Sequence, residues 1–261
     1  MQARDNFNIT HSLFLLLGGV ALLFIFAPLA GMFISVNAPH LFEAATDKVV
    51  GNSILRTLLI SAAATIVSAL FAIPLAYILA RKKFPFKGVV EAVVDLPIVI
   101  PHSAAGIAIL GLISRDSVLG AAASAVGLNL VGSPFAIGLA MSFVSIPFLI
   151  NSARDGFAAV PVRLEQAAET LGASRFQTFT KISLPLAGRS VVSGLLLMFA
   201  RGMSEFGAIV IVAYHPMTTP VLIFDRFNSF GLAYARPVAV IFVAVTLILF
   251  IGLRIYQKRK W

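Results

Sequence analysis

The chain has 261 residues, a mean hydropathy of +0.96, only 12% charged residues and a net charge of +9. So apolar a composition excludes an ordinary soluble domain and places the chain among membrane proteins. The sequence contains no cysteine, which excludes disulfides, thiol catalysis and thiolate metal sites.

Six apolar stretches are long enough, or nearly so, to cross a bilayer, whose hydrocarbon core of ~30 Å requires ~20 helical residues. They cover residues 12–36, 54–80, 92–113, 134–153, 186–213 and 235–256. We therefore predict an all-α, polytopic membrane protein with about six transmembrane helices in a single domain over residues 1–261. No Walker-type glycine loop occurs, so any ATP hydrolysis has to come from another protein.

The first stretch is preceded by a single basic residue, Arg4, contains Pro28 and lacks a clear small-residue cleavage site. We interpret it as a retained transmembrane helix rather than a signal peptide. The second stretch carries small residues at four-residue spacing: Ser61, Thr65 and Ala69, and then Ala72, Ala76 and Ala80. Such stripes allow close helix packing, either within this chain or against a second copy of it.

The third stretch contains the segment Asp95-Leu-Pro97-Ile-Val-Ile-Pro101-His102. Because proline removes a backbone donor and kinks helices, two prolines four residues apart predict a broken or strongly bent segment. Non-helical backbone at membrane depth is tolerated where it is buried in protein or lines a water-filled cavity. The segment is therefore either part of a translocation path, with Pro97, Pro101 and His102 as candidates, or a kinked packing helix.

A polar island, EQAAETLGASRFQTFTKISLP at 165–185, separates the fourth and fifth stretches. Leu164, Ala168 and Leu171 share one helical stripe, and Gly172 stands where a helix C-cap glycine belongs. Ser174 and Gln177 then have the spacing of a capping box for a second short helix, which Pro185 separates from the next apolar run. The pattern predicts a short amphipathic helix on the membrane surface.

The fifth stretch holds Arg201 and Glu205, four residues apart and thus expected on one helix face. An ionisable group at the bilayer centre costs ~2.5–3.5 kcal/mol on insertion scales, so such residues usually face a bundle interior or an aqueous path. Arg201 and Glu205 are therefore further pathway candidates: Arg201 either lends positive character to an anion path or forms a self-compensating structural pair with Glu205. The pairing would cancel much of the charge that an anion feels.

The basic residues are distributed asymmetrically. With six spans and an inner N-terminus, fourteen lysines and arginines fall on the inner side and four on the outer side. The inner set is Arg4, Arg81, Lys82, Lys83, Lys87, Arg154, Arg163, Arg175, Lys181, Arg189, Arg254, Lys258, Arg259 and Lys260; the outer set is Lys48, Arg115, Arg226 and Arg236. This positive-inside bias predicts a multi-pass protein of the cell membrane with both termini and the polar island in the cytoplasm. Basic clusters of this kind favour lipid headgroups over nucleic acid as partners.

The island carries a resemblance to a known family. Two alanines, three residues, a glycine and then Ile-x-Leu-Pro resemble the cytoplasmic loop signature of ABC importer permeases, in which this segment forms a coupling helix that docks on the ATPase subunit. The family usually has Glu directly before the two alanines, where this chain has Gln166. The resemblance implies docking by Ala167, Ala168 and Gly172, with Glu165 and Gln166 as a polar rim, in a coupling-helix loop at about 161–185.

Two further segments, 95–108 and 200–208, resemble the permeases of tetrahedral oxyanion importers, the first most closely those of the molybdate/tungstate type. That subgroup implies a homodimer that pairs with two ATP-binding cassette subunits and an external oxyanion-binding protein and works by alternating access. The binding protein is expected to dock on the outer loops, at about 37–53, 114–133 and 214–234. ATP and Mg²⁺ then belong to the ATPase, and this chain has no catalytic residue, cofactor or metal of its own.

Three alternatives stay open at this point. The permease could serve sulfate or thiosulfate instead of molybdate or tungstate. A secondary transporter or channel without an ATPase would fit the kinked helices and the Arg201–Glu205 pair, but would leave the polar island unexplained. An intramembrane enzyme is disfavoured because the four histidines are scattered and neither H-E-x-x-H nor G-x-S-x-G occurs.

Overall fold

The computed structural model describes residues 9–260, with side chains from residue 11 to residue 255, and every regular element in that range is helical. A π-helical turn at Phe179–Ser183 lies between α9 and α10. In chain order the helices are α1 (Ile9–Ile34), α2 (Ala38–Thr46), α3 (Lys48–Arg81), α4 (Lys87–Val99), α5 (His102–Ile113), α6 (Val118–Ala125), α7 (Pro134–Ala159), α8 (Val162–Thr170), α9 (Arg175–Thr178), α10 (Leu184–Leu186), α11 (Gly188–Met203), α12 (Ile209–Val212), α13 (Thr219–Phe230) and α14 (Leu232–Lys260).

Four of these helices, α1, α3, α7 and α14, are individually long and apolar enough to cross a membrane. Two bent pairs, α4 with α5 and the segment from α9 to α10 with α11, raise the number of spans to six if each pair counts as one. The all-α, polytopic fold predicted from the sequence is therefore confirmed, with four to six spans among the described residues.

The third predicted span is broken where its prolines indicated. Helix α4 ends at Val99, α5 begins at His102, and their axes differ by 109°. Ile100 is extended, as a residue before proline prefers to be, and Pro101 has no N–H to continue the helix. Pro97, in contrast, lies inside α4 without ending it.

The fifth predicted span, 186–213, is wrong as one continuous helix. The chain bends by 74° around Ala187, two residues after Pro185, and α11 ends at Met203. Glu205 therefore lies beyond the helix and not on one helical face with Arg201. Its carboxylate accepts the backbone N–H of Ala208 at 2.9 Å, which caps the irregular stretch that leads into α12.

The centre of the molecule is the packing of α3, α7 and α11. One buried cluster around Ile137, Met141 and Ile209 joins α7 to α5 and α12. A second cluster around Leu149 and Phe157 joins α7 to α3 and α11. Helix α1 lies at the periphery, with the apolar window of its span entirely exposed.

The small-residue stripe of α3 faces this centre and not a second copy. Ser61, Thr65, Ala72 and Ala76 are buried, and Ala69 and Ala80 are partly buried. The Ser61 hydroxyl donates to the carbonyl of Phe199 at 2.8 Å, and a Cβ added at Gly202 would lie 2.8 Å from the Ser61 oxygen. Small side chains on both helices thus permit the close approach of α3 and α11.

Candidate functional site

The polar island forms the two short helices predicted for it. Helix α8 begins after Pro161, and its terminal carbonyls are satisfied by a turn in which Gly172 adopts φ +89°, a conformation that favours glycine. The Gly172 N–H donates to the Glu169 carbonyl at 3.0 Å. The capping box is also present, since Ser174 and Gln177 exchange side chain to backbone hydrogen bonds.

Several large apolar side chains of this island are uncovered. Leu171 is 89% exposed and Phe176 75% exposed, while Val162 and Leu164 are about half exposed. Gln166, Ala167 and Gly172 are exposed as well, Ala168 is partly buried, and a Cβ at Gly172 would meet nothing within 4 Å. A short helix that presents large apolar side chains outside the spans is typical of a docking surface.

Glu165 does not lie at the rim of this surface, contrary to the prediction. It is only 7% exposed, because its side chain points into the molecule beneath α8. One carboxylate oxygen, Oε1, accepts hydrogen bonds from Arg81 Nε at 2.9 Å and from the Ser183 hydroxyl at 2.6 Å. The other oxygen, Oε2, accepts a longer bond of 3.3 Å from the Tyr77 hydroxyl.

These contacts decide the protonation of the carboxylate. Burial by itself would raise the pKa of Glu165, but the hydrogen bonds from Arg81 and Ser183, the charge of Arg81 and the bond from Tyr77 outweigh it and lower the pKa below its usual value. Arg81 also donates to the carbonyl of Val160 at 2.9 Å. Glu165 is therefore a buried anion held by an internal cluster of α3, α7, α8 and the π-helical turn.

A second cluster lies where the two broken spans meet. Arg201 Nη2 lies 2.8 Å from Glu205 Oε2 and 2.8 Å from His102 Nε2, and His102 Nδ1 lies 3.2 Å from the same carboxylate oxygen. Glu205 is fully buried, whereas His102 and Arg201 are partly exposed. The structure thus brings together three of the five predicted pathway residues. Pro97 lies buried within α4, and Pro101 precedes α5.

Two glycines allow the two broken spans to lie this close together. A Cβ at Gly207 would lie 2.8 Å from His102 Cβ, and a Cβ at Gly106 would lie 2.9 Å from the carbonyl of Ala208. The sequence indicated the break at Pro101 but not the one after Met203, and it carried no signal that His102 and Arg201 touch. It likewise indicated a topological role for Arg81 and no contact of Arg81, Tyr77 or Ser183 with Glu165. Among the described residues, no group of three or more histidines or acids could hold a metal ion.

Residues 72–261, which include both clusters and the polar island, match the family model described as the inner membrane component of binding-protein-dependent transport systems. The chain belongs to this family. Its membership confirms the resemblance to importer permeases and identifies the chain as a transport component rather than an enzyme.

Relatives named for molybdate/tungstate transport are similar to this permease over almost their whole length, and a sulfate permease over about three quarters of its length. The molybdate/tungstate transport system permease protein of Thermococcus kodakarensis is 44% identical over 253 residues, which cover 96% of this chain and 97% of the relative. The protein of the same name from Methanocaldococcus jannaschii is 42% identical, with 98% and 99% covered. The sulfate transport system permease protein of Escherichia coli is 32% identical, with 78% and 75% covered.

Solved permease structures share the fold. A bacterial ABC transporter involved in the import of the acidic polysaccharide alginate superposes with a TM-score of 0.73 at 18% identity, over 96% of this chain and 95% of that chain. The methionine ABC transporter MetNI, in an inward-facing conformation, gives a TM-score of 0.62 at 15% identity, over 81% and 94%.

Proposed function

We propose that this chain is the permease subunit of an ATP-driven importer that carries molybdate and tungstate across the cell membrane by alternating access. The observation that carries the substrate class is the 42–44% identity, over at least 91% of the chain, to four permeases named for molybdate/tungstate transport. Named sulfate permeases are only 30–33% identical over 77–83% of the chain. Import of sulfate or thiosulfate is therefore the second candidate function.

The ATPase binds on the exposed apolar face of α8 and α9. Gln166, Ala167, Ala168 and Gly172 form its docking surface, supported by the exposure of Leu171 beside them. Small side chains let a partner approach the helix closely. ATP and Mg²⁺ bind to that ATPase. This chain contributes the helix that receives the movement of the ATPase and the path for the substrate, but no catalytic group.

The two broken spans line the path. Their breaks meet at the His102–Arg201–Glu205 cluster, and irregular backbone at membrane depth is stable where it borders protein or a water-filled cavity. Since Glu205 compensates Arg201, the cluster joins the two spans beside the path and is not itself an open anion site. Pro101 belongs to the same path through the break that it creates, and Pro97 lies within α4 just before that break.

The complete importer contains two copies of this chain, two ATP-binding cassette subunits and an external oxyanion-binding protein. That protein docks on the outer loops at 37–53, 114–133 and 214–234, and lipid covers the exposed apolar surface. Both termini lie in the cytoplasm by the positive-inside rule. Arg4 lies outside the described residues, and so do the side chains of Lys258, Arg259 and Lys260.

Uptake into proteoliposomes tests this proposal. The vesicles contain the chain, its ATPase and, on the outer side, its binding protein, and labelled molybdate is offered with excess unlabelled tungstate or sulfate. We expect uptake that requires ATP, is suppressed by tungstate and persists in sulfate. Suppression by sulfate would move the assignment to a sulfate-type importer, and uptake without ATP would contradict the importer mechanism.

A further inference from the structure

Among the described residues outside the spans, Glu165 has the most buried acidic side chain, and it lies in a helix whose other side chains are mostly exposed. Its neighbour on the next turn, Glu169, is exposed and forms no ion pair among the described residues. Burying a carboxylate is unfavourable unless charge and hydrogen bonds compensate for it. Arg81 and Ser183 supply that compensation, so the position of Glu165 is specified by its partners.

Three spans contribute their ends to this cluster, because Arg81 also binds a carbonyl of a third span. Arg81 is the last residue of α3, and Ser183 ends the π-helical turn that leads into α10 and α11. Val160, whose carbonyl accepts a hydrogen bond from Arg81, is the C-cap of α7. A single carboxylate on α8 therefore connects the candidate docking helix directly to α3 and to the π-helical turn that leads into α11, and to α7 through Arg81.

The connection is enclosed by aromatic rings. Tyr77 packs edge-on against Phe157 and Phe179, with ring centroids 5.3 and 5.0 Å apart. The side chain of Arg81 is only 8% exposed. Charge-assisted hydrogen bonds in such a water-poor environment are stronger than surface ion pairs. Helix α8 cannot tilt away from the spans without breaking these bonds, so a movement of α8 also moves the span ends.

We propose that Glu165 is a positioning residue for transport: it passes the movement of α8 to the ends of α3 and α11 through Arg81 and Ser183. It acts inside the permease and makes no contact with the ATPase. This inference rests on the proposed docking of an ATPase on α8, and it assigns docking and transmission to different faces of that helix.

The experiment compares Glu165→Gln with Glu169→Gln in the reconstituted importer of permease, ATPase and binding protein. The three measured quantities are the ATPase retained on purification, the rate of ATP hydrolysis, and the number of molybdate ions imported per ATP. We expect Glu165→Gln to retain the ATPase and to hydrolyse ATP, while import per ATP falls about tenfold, within the usual range of coupling between sites. Glu169→Gln, which removes the same charge from the same helix, should leave the import ratio unchanged.

Two milder variants cover the case in which Glu165→Gln fails to fold. Ser183→Ala and Tyr77→Phe each remove one hydrogen bond and leave the Arg81–Glu165 pair intact. Because the Ser183 bond is 2.6 Å and the Tyr77 bond 3.3 Å, we expect a reduction of import per ATP of about threefold for Ser183→Ala and a smaller one for Tyr77→Phe.

The proposal is overturned if Glu165→Gln and Ser183→Ala import as much molybdate per ATP as the wild type. It is also overturned if Glu165→Gln loses the ATPase on purification, since that result would place Glu165 in the docking surface. Failure of the proposed function is distinguishable from both, because the wild-type importer itself would then show no ATP-driven uptake.

Discussion

At the scale of single residues, Gly172 has both a backbone conformation that favours glycine and a position on the proposed docking surface. Its φ of +89° disfavours any residue with a Cβ, although the space around it is open. We expect Gly172→Asp to cost about 1 kcal/mol locally and to place a charge on the docking face. The spans should stay folded, while the amount of ATPase that purifies with the permease falls about tenfold or more.

Gly231 offers a matched control for this variant. It has φ +78° and open space around it, like Gly172, but it follows α13 in the last outer loop. Gly231→Asp introduces the same charge at a second glycine of positive φ, and it should retain the ATPase. Full retention of the ATPase and of uptake by Gly172→Asp would show that the docking surface is wrongly assigned.

The same scale shows what the sequence could and could not predict about the island. Gly172, Ser174 and Gln177 act through neighbours within a few residues, so their roles follow from spacing alone. Glu165 acts through Arg81 and Ser183, of which Arg81 lies 84 residues away in the chain. Its position on the helix predicted that Glu165 lies at the rim of the docking surface. In the structure, a hydrogen bond from Arg81, which belongs to another span, holds its side chain inside the molecule.

At the scale of elements, the breaks in two spans are the features that position the intramembrane cluster. The break at Pro101 was predictable because proline acts on its own backbone and on the residue before it. The break after Met203 was not, because the stretch 186–213 contains no proline and the charged residues near the break, Arg201 and Glu205, keep helical spacing. There the tertiary contacts of Gly207 and Glu205 decide the conformation.

The His102–Arg201–Glu205 cluster leads to a prediction about the free energy of unfolding. Glu205→Ala removes the partner of Arg201 and of the Ala208 N–H from a fully buried position. Because it leaves a cation and a backbone donor uncompensated, we expect a loss of about 3 kcal/mol in the free energy of unfolding. The measurement is denaturant-induced unfolding of the purified permease in detergent.

Glu43→Ala is the control, since Glu43 is exposed on α2 and its carboxylate lies 3.5 Å from His40 Nδ1 at the surface. That variant should change the free energy of unfolding by less than about 0.5 kcal/mol. Equal stabilities of the two variants would mean that the cluster does not hold the broken spans together.

At the scale of the whole molecule, hydropathy and charge predicted the all-α, polytopic architecture because both act through the bilayer, independently of tertiary contacts. The packing within that architecture required the structure. The stripe from Ser61 to Ala76 could have faced either this chain or a second copy, and it faces α7 and α11 of this chain. Conversely, the exposed faces of α1 and α8 are where lipid and protein partners are expected.

The central claim is that an ATPase drives this permease through α8, and a site-specific cross-link tests it most directly. Because the chain has no cysteine, Leu171→Cys provides a single attachment point for a short photoactivatable cross-linker in the assembled importer. Val118→Cys, 91% exposed at the start of α6 within the predicted outer loop 114–133, is the control. We expect the Leu171 position to cross-link to the ATPase and the Val118 position never to do so. An actively transporting importer in which Leu171 gives no ATPase cross-link, or in which Val118 gives one, would contradict both the docking surface and the proposed topology.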